Sequence, residues 1–116
     1  MAGVVKVTTG LTGLPVAKHP HHTLKILYEK ILRTLAKMPE DATYRKNTQM
    51  IVQERLSLVN SEPDVTKLEN IVKAGQVEEI ILQAHRELSL SRKMLEWRPW
   101  EPLIGEAPPN QWKWPI

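Results

Sequence analysis

The stretch Gln76–Pro99, QVEEIILQAHRELSLSRKMLEWRP, decides the fold. Val77, Ile80, Ile81, Ala84, Leu88, Met94 and Leu95 fall on one side of a 3.6-residue period, which predicts an amphipathic helix starting near Gln76. Arg98-Pro99 ends it, because the residue before a proline is pushed out of the helical region. Glu78 and Glu79 stand in the first turn, where negative charge complements the helix dipole. Neighbours on a helix diverge by about 100°, so these carboxylates do not face each other as an acid–base couple would.

Upstream, the same period recurs with clear punctuation. Pro20 suits a first helical turn, and Leu24, Leu27, Tyr28, Ile31, Leu35 and Met38 follow at steps of three and four until Pro39 stops the pattern. A second helix follows Pro39-Glu40-Asp41, with Tyr44, Thr48, Ile51, Val52, Leu56 and Val59 expected on its inner face and Asn60 as a left-handed terminator. Ser61-Glu62-Pro63-Asp64 offers a cap, with Ser61 as acceptor and Asp64 in the acidic position of a capping box. Val65, Leu68, Ile71 and Val72 then make a short helix closed by Gly75. Nothing alternates with period two over a useful length. The expected fold is all-α: an up-and-down bundle of three main helices plus a short one, with an extended Pro/Trp-rich C-terminal tail. Residues 1–19 read as a flexible N-terminal arm, 20–97 as the helical bundle and 98–116 as the tail.

Composition narrows the function classes. The 116 residues suit one domain with a small core, built from Leu, Ile and Val in a chain with no Phe and two Tyr. The formal charge of +3 is spread as a mild gradient, positive through residue 60 and negative over 61–96, not as the basic stripe that nucleic acid calls for. The absence of Cys removes disulfides, thiolate metal sites, iron–sulfur ligation and Cys nucleophiles together. No apolar run approaches the ~20 residues that span a bilayer. Residues 1–28 hold no acid and several Lys, Thr and Gly, which leaves two readings open, an organelle-targeting role or a plain arm.

Reactive constellations are few. His19, His21 and His22 cluster, but adjacent ligands at a helix start converge poorly on one ion without a carboxylate from elsewhere, so a solvated first turn is expected in place of a metal site. His85, beside Arg86 and Glu87, reads as a surface or partner-facing group. There is no phosphate loop, nucleophile elbow, zincin motif or dinucleotide fingerprint, and the five Gly are scattered. No catalytic, cofactor-binding or metal-ligating residue is assigned, and no cofactor is expected.

The tail departs from a bland helical domain. All four Trp lie in the final segment, with Pro99, Pro102, Pro108, Pro109 and Pro115 between and beside them. In a polyproline-like segment Trp97, Trp100 and Leu103 would share one edge. In an extended chain Trp112, Trp114 and Ile116 would share one side. Ordering such a tail costs more than burial of its Trp returns, so it needs contacts from its own bundle or from a partner. Aromatic and Arg side chains are what interface hot spots are enriched in, so Trp97, Arg98, Trp100, Leu103, Trp112, Trp114 and Ile116 are the expected protein-interface residues. The alternatives are a strap folded over the chain's own helices and a Trp-rich membrane-interface belt, for which the tail lacks the usual basic cluster. Trp100→Ala or Trp112→Ala is expected to weaken partner association more than it lowers helicity.

YRKNT in the second helix, SEPDVTKLE at the third, GQVEEIILQAHRELSLSRKMLEWRPWEPL through the last, and the terminal QWKWPI resemble one family: alpha-subcomplex subunit 5 of mitochondrial respiratory complex I, the NADH:ubiquinone oxidoreductase. The opening MAGV, Thr8-Thr9-Gly10-Leu11 and Leu27–Leu32 fit it too, so the resemblance covers essentially the whole chain. It implies a non-catalytic accessory subunit that forms a small helical bundle in the peripheral arm, on the matrix side of the mitochondrial inner membrane. It also implies a hetero-oligomer in which the 30 kDa core iron–sulfur-fraction subunit and a large accessory subunit are neighbours. A second class is a transient assembly factor or adaptor of the mitochondrial Leu-Tyr-Arg type. Here Leu27-Tyr28-Glu29 carries Glu where that signature has Arg, which argues against it.

Overall fold

The computed structural model describes residues 7–114. It contains four helices and, among the described residues, no strand: α1 (Pro20–Leu35), α2 (Thr43–Ser61), α3 (Val65–Val72) and α4 (Val77–Trp97). The all-α bundle of three main helices and a short one is the fold that the periodicity predicts.

Side-chain ties fix the directions of the helices. His21 at the start of α1 meets the Glu62 carbonyl beyond the end of α2 at 2.7 Å, so these helices run antiparallel. Tyr44 reaches Glu87 and Arg55 reaches Gln83, so α2 is antiparallel to α4 as well. The Ala17 N–H, just before α1, donates to the Glu78 carboxylate in the first turn of α4 at 3.1 Å, so α1 and α4 run parallel. α1 packs on both α2 and α4 and forms the spine of the molecule.

The core follows from the spacing. Leu24, Leu27, Tyr28, Ile31 and Leu35 of α1 meet Val52 and Val59 of α2, Leu68 of α3, and Val77, Ile80, Ala84 and Leu88 of α4. Burial of each large side chain contributes on the order of 1.5–3 kcal/mol. Ser91 is also fully buried, with its hydroxyl donating to the Leu88 carbonyl at 2.8 Å. Ala84, Leu88 and Ser91 lie four and three residues apart on one face of α4.

Several local expectations are corrected. α1 stops at Leu35, and Ala36–Met38 continue as a turn in which the Met38 N–H donates to the Leu35 carbonyl, although Met38 stays buried. Asn60 does not terminate α2, which runs through Ser61 and leaves the helix at Glu62 with extended backbone. Ser61 is therefore a helical residue whose hydroxyl donates back to Leu58, and Asp64 is the N-cap of α3, accepting from the Thr66 N–H at 2.9 Å. The left-handed residue that ends α3 is Lys73 (φ 56°), not Gly75. Ile51, expected inside, is about half exposed, and so is Ile71.

Gly75 has a different task. It sits at φ 90°, and a Cβ there would collide with the Glu79 carboxylate. That carboxylate folds back over the glycine to accept from the Gln76 N–H at 2.8 Å, half of the reciprocal arrangement of a capping box. Glu69 of α3 accepts from the Val77 N–H at 2.6 Å. Three carboxylates, those of Glu69, Glu78 and Glu79, thus satisfy N–H groups around the positive end of α4. Glu78 also ties down the segment before α1, while the Gln76 side-chain amide donates to the Thr9 carbonyl at 2.7 Å.

Candidate protein interface

α4 delivers the first of the tail Trp. Trp97 is the last residue of α4 and is 63 % exposed, so it belongs to a helix and not to a polyproline edge. Arg98 takes a left-handed conformation (φ 54°), and its N–H still donates to the Met94 carbonyl, which closes the helix before Pro99. The chain then turns, with the Glu101 N–H reaching the Arg98 carbonyl at 3.1 Å. The Arg98 and Glu101 side chains pair at 3.7 Å, both largely in water, where such a pair contributes little.

This turn aims Trp100 back at the bundle. Its ring is half-buried and packs against the core, beside a small hollow lined also by Ala42, Thr43 and Tyr44 at the start of α2 and Met94 near the end of α4. Beyond it every described residue is exposed. Leu103 is 86 % and Trp112 89 % exposed. Pro108–Lys113 form consecutive turns, in which Gln111 and Lys113 donate to the Pro108 and Asn110 carbonyls, so Trp112 and Trp114 do not alternate along an extended strand. Ile116 lies outside the described residues. The six described residues of the seven grouped by sequence therefore divide into one anchor on the bundle, Trp100, and a set displayed to solvent, Trp97, Arg98, Leu103, Trp112 and Trp114.

The bundle offers polar features near this region. The Tyr44 hydroxyl donates to Glu87 at 2.7 Å; burial, reinforced by that carboxylate, raises its pKa well above the ordinary tyrosine value. Burial also raises the pKa of Tyr28, with the Arg55 guanidinium opposing the shift. Lys30 and Arg33 of α1, Lys37 in the turn after it, and Arg92 and Leu95 of α4 line a shallow cleft. His21 is held by a backbone carbonyl, and His85 is exposed on α4. Leu90, which sequence reasoning passed over, lines a cavity of the bundle together with Ile51, expected in the core, and Arg86, noted only as a neighbour of His85. The signal was there: Leu82 and Leu90 are apolar positions of α4 outside its inward stripe.

A family model described as "ETC complex I subunit conserved region" matches residues 13–79, more than half of the chain. The chain belongs to this complex I subunit family. It is similar over its full length to NADH dehydrogenase (ubiquinone) 1 alpha subcomplex subunit 5 of Rattus norvegicus, 62 % identical with all of both chains covered. The Bos taurus protein of that name is 60 % identical over the same span. The probable counterpart in Caenorhabditis elegans is 49 % identical over 111 residues, covering 96 % of this chain and 74 % of the relative. For a complex I subunit, the conserved-region match runs from the segment before α1 through the first turn of α4. The mammalian similarity extends through the Trp tail. Leu27 and Tyr28, the start of the triplet weighed against the Leu-Tyr-Arg signature, are core residues of this family member.

Proposed function

We propose that the chain is a non-catalytic accessory subunit of the peripheral arm of complex I, on the matrix side of the mitochondrial inner membrane, where it stabilises the assembled NADH-to-ubiquinone enzyme. The 30 kDa core iron–sulfur-fraction subunit and a neighbouring accessory subunit are its partners in this reading. The observation that carries it is the split tail: Trp100 anchors on the bundle while Trp97, Leu103, Trp112 and Trp114 stand in water. Large apolar groups displayed along one segment mark a surface meant to be covered. Family membership supports complex I as the assembly that covers it. The carboxylates most suggestive of acid–base chemistry, Glu78 and Glu79, are engaged with backbone N–H groups, which fits a subunit that leaves the chemistry to others. No helix among the described residues is long and apolar enough to cross a membrane, in keeping with peripheral attachment.

The test is native electrophoresis of mildly solubilised mitochondrial membranes, with an in-gel NADH dehydrogenase stain and an antibody to this chain. Co-migration with the active, fully assembled band is expected. Migration only with smaller, inactive species would favour a transient assembly factor, and a free monomer would sink both.

A further inference from the structure

In a closed three-helix bundle each helix touches the other two. Here α1 packs on α2 and on α4, but α2 and α4 make no comparable approach to each other. The seam between them is bridged by two hydrogen bonds, Tyr44 to Glu87 and Arg55 to Gln83. Beneath these bridges lies a cavity of about 540 Å³, floored by Tyr28, Ile31 and Ala84 and walled by Ile51, Val52 and Leu90. A second hollow of about 260 Å³ shares Ile51 and Arg55 with the first and continues past Leu58 to Val72 of α3. From Tyr44 to Leu58 the groove follows α2 for about 21 Å, some four helical turns.

We infer that this α2–α4 groove receives an amphipathic helix of a partner subunit, carrying an apolar ridge flanked by acidic residues, which completes a four-helix bundle. The inference rests on the complex I subunit reading above. Shape argues for a helix, since the groove runs parallel to two helices at the position a fourth would occupy. Chemistry argues for the ridge, because Ile51 and Leu90 are 49 % and 41 % exposed on the groove walls. Charge argues for an acidic flank over the first cavity: Glu87 there is held by Tyr44 and Glu54 lines only the second hollow, whereas Arg55 meets the neutral Gln83 and Arg86 has no ion pair among the described residues. The chain's own tail is not the occupant, since Trp100 is anchored at the Tyr44 end of the seam and the residues after it lead into solvent.

The experiment places a photo-crosslinking benzoylphenylalanine at Leu90, at Trp112, or at Gln53 on the opposite side of α2, in the full chain expressed in mitochondria. After irradiation, the assembled complex is isolated and cross-linked peptides are mapped. The Leu90 probe is expected to capture one other subunit within a helical segment bearing Asp or Glu beside its apolar ridge, and the Gln53 probe to give at least about fivefold less of that product. Ile51→Glu and Arg86→Glu, both at exposed positions, should lower incorporation about tenfold or more with unchanged far-ultraviolet circular dichroism. Cross-linking of Leu90 to the chain's own tail, to a second copy, to lipid or to an extended segment would overturn the inference. So would an unreacted Leu90 probe in a complex where the Trp112 probe still captures a partner, an outcome that leaves complex I membership standing. Absence of the chain from the complex would remove both.

Discussion

Trp100→Ala and Trp112→Ala, compared in the free chain, test the division of the tail directly. The ring of Trp100 is half-buried against the core, beside a hollow it shares with Ala42–Tyr44 at the first turn of α2 and Met94 in the last turns of α4. Full burial of a large apolar side chain is worth about 1.5–3 kcal/mol, and part of that is lost with the ring, along with contacts the surface cannot rebuild. A loss of roughly 1–2 kcal/mol follows, or a fall in Tm on the order of 5–10 °C at this chain length. Trp112 is 89 % exposed, so its removal should leave Tm within about 1 °C. Thermal melts followed at 222 nm measure both, and tryptophan emission adds a second readout because Trp100 supplies the component least exposed to water. In assembled complex the order should invert in kind: Trp112→Ala lowers incorporation without destabilising the free chain. Equal melting of Trp100→Ala and the unaltered chain would refute the anchor. Equal destabilisation by both substitutions would show the whole tail to be an intramolecular strap.

Gly75→Ala should cost about 1–3 kcal/mol, because the new Cβ both meets the Glu79 carboxylate and sits at φ 90°; urea denaturation would show it as a lower midpoint with unchanged m. Tyr44→Phe removes the donor to Glu87 and should lower stability by roughly 1 kcal/mol at neutral pH. The folded-state pKa of Tyr44 lies above its unfolded value, so its contribution is present below pH 10 and is lost as pH rises from there through the folded value; the Phe variant should show a shallower alkaline decline.

The inward stripes were readable in the sequence because burial selects residue type at a fixed period. Leu24, Leu27, Tyr28, Ile31 and Leu35 could be placed on one face of α1 from spacing alone, and the structure buries all five. Helix ends were less readable, since they depend on which backbone N–H finds an acceptor. Ser61 and Asp64 are both good cap residues, and only the path of α2 decides that Asp64 is used. Likewise Glu69 caps α4 from another helix, a pairing that no local rule contains. Ile51 was misplaced because periodicity assumes that α2 has one buried side facing a closed core. It cannot see that α2 and α4 stand apart. The tail shows the same limit: proline content excludes a helix beyond Arg98, but whether a given Trp lies on the bundle depends on the turn at Arg98–Glu101, which points Trp100 inward and its successors away.

That turn also bears on how a small bundle enters a large assembly. A subunit of this size has little stability to spare, and a tail held wholly by its own helices would have to be released before docking, at the cost of every contact it made. Anchoring one Trp avoids this. Trp100 joins the ends of α2 and α4, so the helix pair that leaves its seam open is tied at one end in the free chain. Leu103, Trp112 and Trp114 remain uncommitted, and the turns at Pro108–Lys113, like the fixed φ of the intervening prolines, reduce the entropy lost when a partner orders them. The arrangement separates two demands that would conflict in a single packed tail, folding alone and binding later. It also predicts their separability, since a chain truncated after Glu101 should retain the cooperative melt of the full chain and lose incorporation into the complex.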